Sequence, residues 1–282
     1  MARENMEAIV EPAWPSEPPR SAGPGGLLKI EGNVVRRAMV IDGELLLGEA
    51  AWVGDAVHLR GDERAVEKLR WMLALDDDLA PFHRAHRSDP VLGRIIKARP
   101  KLRVIRKASP FEALAWAVIE QLIDTQRAGN IAYAFVQRHG TRHPSGAWAA
   151  PDAHAFANQA ALEEAGLAPT QARTLARVAR DVVNHGFDRR RIEATRGIGE
   201  WTLAHLDMFG HGRYDVPLAK DVGMRNAYAR IIGVRTGSVT EDEFRAFLDR
   251  FAPWQALVAM YLIAAGWRPG PRYQSRHALP RR

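Results

Sequence analysis

Apolar and polar positions change their spacing once along the chain, near residue 75. Before that point, residues 27–30, 34–41, 44–48 and 56–60 are short apolar segments separated by Gly32-Asn33, Asp42-Gly43 and Gly54-Asp55. Such pairs between apolar runs favour tight two-residue turns, so the segments predict a small antiparallel sheet. Gly61-Asp62 then opens a helix that places Ala65, Val66, Leu69, Met72 and Leu73 on one face. From about Asp76 onward the spacing is helical, and no further strand is expected. Phe111, Leu114, Ala115, Val118, Ile119 and Leu122 recur at three- and four-residue intervals, as do Leu175, Val178, Ala179 and Val182, and Phe244, Phe247, Leu248 and Phe251. Proline interrupts the pattern after Arg99, His143, Ala168 and Ala252. The predicted fold class is α+β: a small N-terminal antiparallel β-containing domain followed by a mainly α-helical body of about ten helices. No internal repeat is present.

The ends of the chain read differently. Residues 1–25 carry five prolines and little apolar periodicity, which predicts a disordered or loosely attached lead. The small α+β domain is expected over 26–75, the helical region over 76–267, and a basic flexible tail over 268–282. A length of 282 residues agrees with about two domains at ~150 residues each. Apolar residues at 46% and charged residues at 26% are ordinary for a globular protein. The absence of cysteine excludes a disulfide framework, a thiol nucleophile, a cysteine-ligated zinc site and an iron–sulfur cluster. The longest apolar run, 256–265, falls well short of the ~20 residues of a membrane span, and the N-terminus lacks a secretory pattern. A cytoplasmic protein is expected, with no membrane partner. The net charge of +7 points to a polyanion, although Arg268, Arg272, Arg276, Arg281 and Arg282 concentrate much of it in the tail. No metal site is expected. His83 and His86 have no third ligand nearby and predict a surface helix, and Asp76-Asp77-Asp78 predicts a helix cap.

The most informative stretch is DRRRIEATRGIGEWTLAHLDMFGHGRYDVPLAKD, residues 188–221. A short helix leads into Gly197-Ile198-Gly199, and a second helix follows from about Glu200. Two glycines around one apolar residue permit a tight turn, because glycine tolerates positive φ. They also let backbone amides at the start of the second helix approach a phosphate. Taken alone, the motif is more often an ordinary turn between packed helices. Asp221, 22 residues after Gly199, is expected to begin a helix as its cap.

Together these stretches resemble the helix–hairpin–helix DNA glycosylases, specifically the 3-methyladenine DNA glycosylase II (AlkA) type. Residues 109–140, with Gln121-Leu122-Ile123, resemble the first core helix pair of that family. GLAPTQARTLARVARDV resembles the helix before the hairpin, and FAPWQALVAMYLIAAGW the closing helix. The sheet over 27–60 fits the small N-terminal domain of the AlkA branch, and the likeness covers about 27–267. It implies two helical subdomains around a cleft and a monomer bound to double-stranded DNA containing damaged bases. It also implies a nucleoid-associated role in base excision repair.

By the same resemblance, Asp221 is the catalytic carboxylate, stabilising positive charge on the sugar during N-glycosidic cleavage. Asp221 can serve as cap and catalyst at once. Gly197, Ile198, Gly199, Gln121 and Leu122 are implied in DNA binding, with Leu122 as an intercalating wedge or simply as part of an apolar stripe. Trp201, His205 and Trp254 match positions of the base pocket, where an aromatic face would meet a cationic alkylated base; core packing is the competing role of the two tryptophans. His205 replaces a tyrosine usual in the family, and Lys220 replaces an acidic residue. In the lyase branches a lysine occupies the position of Trp201, so the likeness implies a monofunctional hydrolase. No cofactor is required, and the family allows a monovalent cation at the hairpin carbonyls. The alternatives are a glycosylase of this fold for another base, such as a deaminated purine, and a non-catalytic helix–hairpin–helix DNA-binding protein.

Overall fold

The computed structural model describes residues 6–266. Five strands form an antiparallel sheet in the order β1-β5-β4-β3-β2: β1 Met6–Val10, β2 Leu28–Glu31, β3 Val34–Ile41, β4 Glu44–Val53 and β5 Ala56–Gly61. The predicted turns are where the sequence puts them. Asp42 and Gly43 both have positive φ, 51° and 78°, as a mirror-image hairpin turn requires. Helix α1, Glu63–Met72, is capped by the Asp62 side chain, which accepts from the Arg64 amide at 3.0 Å. Its Ala65, Val66, Leu69 and Met72 are buried against the sheet.

The lead is not loose over its described part. β1 pairs with β5 from Met6↔Gly61 to Val10↔Val57. Trp14 Nε1 donates to Pro100 O at 2.7 Å, Trp52 Nε1 donates to Ser16 Oγ at 2.8 Å, and the Arg103 guanidinium donates to the carbonyls of Trp14 and Pro15. Gly25, at φ 69°, lies so close to a helix that an added Cβ would sit 2.6 Å from Val136 Cγ2. These are backbone ties and single anchors, which carry no apolar periodicity. Residues 268–282, expected as a flexible tail, lie outside the described residues.

The helices that follow are α2 Ala80–His86, α3 Gly93–Ala98, α4 Pro110–Glu120, α5 Thr125–His139, α6 Ala153–Phe156, α7 Gln159–Glu164, α8 Pro169–His185, α9 Arg189–Glu193 and α10 Glu200–His205. A π-helical turn, Leu206–Gly210, continues α10. After it come α11 Val222–Ile231, α12 Glu241–Asp249 and α13 Gln255–Gly266. Two two-residue strands, β6 Thr141–Arg142 and β7 Trp148–Ala149, pair where no strand was expected. They are too short to show a period.

The chain divides into two compact units, one of residues 6–81 and 100–213, the other of 82–99 and 214–266. This differs from the division at 75/76 expected from the sequence. In the first unit the sheet is joined to the helices by a buried ion pair, Arg37 Nη2 on β3 to Glu112 Oε2 on α4 at 2.7 Å. Helices α4, α5 and α8 enclose a core around Trp116, Phe135, Phe156, Leu162 and Leu175. In the second unit an aromatic group fills the interior: Phe82, Tyr261 and Trp254, with Tyr228, Phe244, Phe247 and Phe251.

His83 departs from the expected surface helix. It is buried, its Nε2 lies 3.3 Å from the Tyr261 hydroxyl, and burial holds its pKa below the ordinary imidazole value. The acidic triplet caps as expected, with Asp78 accepting from the Ala80 amide at 2.8 Å. Among the described residues, no helix is long and apolar enough to cross a membrane, and no cluster could hold a metal ion.

Candidate nucleic-acid interface and base site

In the first unit, α4 ends at Gln121, whose side chain reaches the glycine turn. Its Nε2 donates to Gly197 O at 3.0 Å and to Thr202 Oγ1 at 2.7 Å. Gln171 on α8 in turn donates to the Gln121 carbonyl. Gln121 therefore braces the turn against the end of α4. The next residue, Leu122, is fully exposed and has φ 58°. A left-handed backbone costs a leucine roughly 1–2 kcal/mol, and exposure returns no burial energy. Leu122 does not continue the apolar stripe of its helix; it stands out from the protein beside the turn.

The three residues of the turn behave differently. Gly197 has φ 97°, and a Cβ there would sit 2.6 Å from Thr174 Oγ1. Ile198 is buried in the helical core, so its side chain packs inward, and its amide donates to Thr195 O at 3.0 Å. Gly199 is extended at φ −116° and is the N-cap of α10; a Cβ there would meet nothing within 4 Å. The expectation of positive φ at both glycines holds only for Gly197. Gly199 gives the start of α10 an uncluttered surface. The amides of Gly197 and Gly199 meet no acceptor among the described residues.

Trp201 and His205 form one face of α10, with ring centroids 4.0 Å apart, and Phe209 follows 5.8 Å from His205. Each four-residue step on an α-helix overshoots one turn by about 40°, and the wider π turn takes up that drift. The His205 ring is oriented by Nδ1, 2.9 Å from Trp201 O. Arg189 on α9 holds Asp207 of the π turn by two bonds, one of them Nη2 to Oδ2 at 3.0 Å. That hydrogen-bonded pairing raises the guanidinium pKa above its already high ordinary value. Phe209, Thr202, Gln171 and the Arg189–Asp207 pair were not singled out in the sequence. The recurrence of aromatic rings at 201, 205 and 209 is the signal that could have found Phe209.

Asp221 and Trp254 belong to the second unit. Asp221 is the N-cap of α11; its Oδ1 accepts from the Met224 amide at 2.8 Å. Trp254, just before α13, is half-buried against Tyr214 at 5.5 Å and Phe82 at 5.9 Å, in keeping with a packing role. Lys220 is exposed.

No family model matches the chain. Two relatives are similar in sequence. The DNA-3-methyladenine glycosylase 2 of Escherichia coli is 24% identical over 193 residues, which span 63% of this chain and 66% of the relative, just under two thirds of its length. The DNA-3-methyladenine glycosylase of Bacillus subtilis is 24% identical over 272 residues, 86% of this chain and 88% of the relative. Among solved structures, the 3-methyladenine DNA glycosylase of Archaeoglobus fulgidus matches with a TM-score of 0.73 at 22% identity, covering 84% of this chain and 88% of that one. The 8-oxoguanine glycosylase/lyase of Clostridium acetobutylicum, solved with double-stranded DNA, matches with a TM-score of 0.67 at 14% identity, covering 83% and 85%. In sequence the chain is similar to 3-methyladenine DNA glycosylases, and its fold is that of the helix–hairpin–helix DNA glycosylases.

Proposed function

We propose that this protein is a monofunctional DNA glycosylase of base excision repair. It flips an alkylated purine, of the 3-methyladenine or 7-methylguanine type, out of duplex DNA and hydrolyses its N-glycosidic bond to leave an abasic site. The observation that carries this reading is the exposed, left-handed Leu122 braced through Gln121 to the glycine turn. An apolar side chain held out of the protein at a backbone cost suits insertion into a base stack, where it offsets part of the unstacking energy. The amides of Gly197 and Gly199 suit a phosphate at the start of α10. Trp201, packed on the buried His205, offers a ring face to the flipped base, and the Asp221 carboxylate stabilises the oxocarbenium-like sugar. The names of the relatives support the alkylated-base class. In this reading the protein works as a monomer on nucleoid DNA, without a cofactor.

The test uses duplexes that each carry one defined lesion, under single turnover. The expected product is an intact abasic strand that breaks only after alkali, and borohydride should trap no covalent complex, because Trp201 offers no amine. Excision of no lesion would overturn the assignment; a borohydride-trapped complex would overturn the monofunctional subtype. His205 in place of a family tyrosine favours a second reading, a base other than an alkylated purine, which the same panel of lesions separates.

The two glycines give a second expected result. Gly197→Ala should lower both stability and DNA affinity, since it strains φ and crowds Thr174. Gly199→Ala should cost at most about 1 kcal/mol of stability, through the cap alone. It should still weaken binding to damaged and undamaged duplex by a similar factor, because a phosphate contact positions the protein without reading the base. Fluorescence anisotropy at two salt concentrations, with thermal melts alongside, checks this. Normal affinity of the Gly199 variant for DNA would show that phosphate does not approach the turn there.

A further inference from the structure

Helix α8 lies against the glycine turn, and this contact brings together three arginines that no acidic group holds. Thr174 Oγ1 is 3.5 Å from Arg196 O, and a Cβ at Gly197 would sit 2.6 Å from the same hydroxyl. Arg173 and Arg177 bracket Thr174 in sequence and share one exposed flank of α8, four residues apart. Arg196 precedes the turn and is exposed as well. Gln171, donating to the Gln121 carbonyl, ties the start of α8 to the end of α4.

Arginines farther from the turn are already engaged. Arg191 pairs with Asp181, Arg189 with Asp207 and Glu193, and Arg180 Nε donates to Ala176 O at 3.0 Å. The guanidinium groups of Arg173, Arg177 and Arg196 have no ion pair and no hydrogen-bond acceptor among the described residues. The exposed flank of α8, Thr170, Arg173, Arg177, Arg180 and Asn184, contains no acid. Like charges four residues apart on a helix repel, so an anion bound there relieves a cost that the free protein carries. The turn adds two amides without an acceptor, those of Gly197 and Gly199. Arg173 and Arg177 are about 6 Å apart along the helix axis, between one and two base-pair rises of ~3.4 Å on a single strand.

We propose that Arg173, Arg177 and Arg196 form a phosphate-binding strip that carries one strand of duplex DNA past the glycine turn and along the start of α8. The inference rests on the function proposed above and adds a charged part to its DNA contact. The neutral amides hold one phosphate, and the arginines hold its neighbours on the same strand. Guanidinium groups suit this task, because their forked donors match two phosphate oxygens at once. Cations release condensed counterions when they meet phosphates and amides do not, so the strip carries a large share of the salt dependence of binding. It reads no base and strengthens damaged and undamaged duplex alike.

The test measures affinity for both duplexes by fluorescence anisotropy over a range of salt concentrations. Arg173→Gln/Arg177→Gln/Arg196→Gln should weaken both by about tenfold or more at low salt, and should flatten the plot of log K against log salt by about two to three units. Arg173→Lys/Arg177→Lys/Arg196→Lys, which keeps the charge, should keep most of that slope. Arg20→Gln/Arg60→Gln/Arg70→Gln removes the same net charge from arginines paired with Glu17, Glu7 and Asp76, and should leave the slope nearly intact. An unchanged slope in the first triple variant, with a wild-type thermal melt, would overturn the proposal. So would an equal fall in the first and third triples, which would reduce the effect to net charge, or a lysine triple as flat as the glutamine one. Excision of defined lesions, measured alongside, separates the two readings. If no lesion is excised but the strip variants flatten the slope, the glycosylase assignment falls and the strip stands. If lesions are excised and the slope does not move, the strip falls and the assignment stands.

Discussion

Asp221→Asn should lower single-turnover excision by roughly 10²–10³ while leaving stability and affinity for damaged duplex nearly unchanged. The magnitude is that of a well-placed charge facing a developing cation. The capping geometry makes this substitution clean. Asp221 Oδ1 accepts from the Met224 amide at 2.8 Å, and asparagine caps a helix about as well as aspartate. Asn therefore retains the helix start and removes only the charge. Asp221→Ala, by contrast, should add about 1 kcal/mol of lost capping and confuse the two effects. The assay pairs excision of 3-methyladenine and 7-methylguanine with a binding isotherm and a thermal melt. Near-wild-type excision by the asparagine variant would leave Asp221 as a cap and nothing more.

Glu112→Ala should be the most destabilising substitution in the first unit outside the apolar core, at about 3–5 kcal/mol. Arg37 is 1% exposed and its partner is nearly as enclosed. Glu112 Oε2 accepts from Arg37 Nη2 at 2.7 Å, and Oε1 accepts from Trp116 Nε1 at 3.3 Å. Arg37 Nε and Nη1 have no other partner, so removal of the carboxylate strands a full charge in the interior. Taking out both charges should be milder. The double variant Arg37→Met/Glu112→Leu is expected to lose less than Glu112→Ala alone, because no buried ion remains uncompensated. Urea unfolding of the two singles and the double measures the coupling directly. Singles costing under about 1 kcal/mol would mean that water reaches the pair. The pair also joins the sheet to α4, the helix that ends in Gln121 and Leu122. A variant that survives should therefore be checked for DNA binding as well as stability.

Much of the fold is legible in the residues. Asp42-Gly43 announces its hairpin because few residues besides glycine and aspartate accept two successive positive φ angles. The buried face of α1 follows from 3.6-residue spacing alone. The anchoring of the lead is not legible in the residues, because proline-rich chain without apolar periodicity looks the same whether solvated or tied down. What holds it is a strand edge, two indole N–H bonds and Arg103. The burial of His83 is not legible either, because a histidine on a short helix gives no sign that Tyr261, far along the chain, will cover it.

The candidate site divides along the same line. Gly197-Ile198-Gly199, Leu122 and Asp221 stand out as residue types at informative spacings, and the family resemblance rests on them. The sheet-then-helix order, the glycine turn before α10, the aspartate at the head of α11 and the lack of a lysine at 201 can all be read from the residues alone. Each of these depends on backbone propensity or residue chemistry within a short window. That Ile198 packs inward, that Gly199 is extended and that Gln121 braces the turn emerges only when the helices of the first unit come together. These depend on which distant segments meet, 76 residues apart for Gln121 and Gly197. No local pattern encodes such a meeting, because the energy that selects it comes from packing the whole unit.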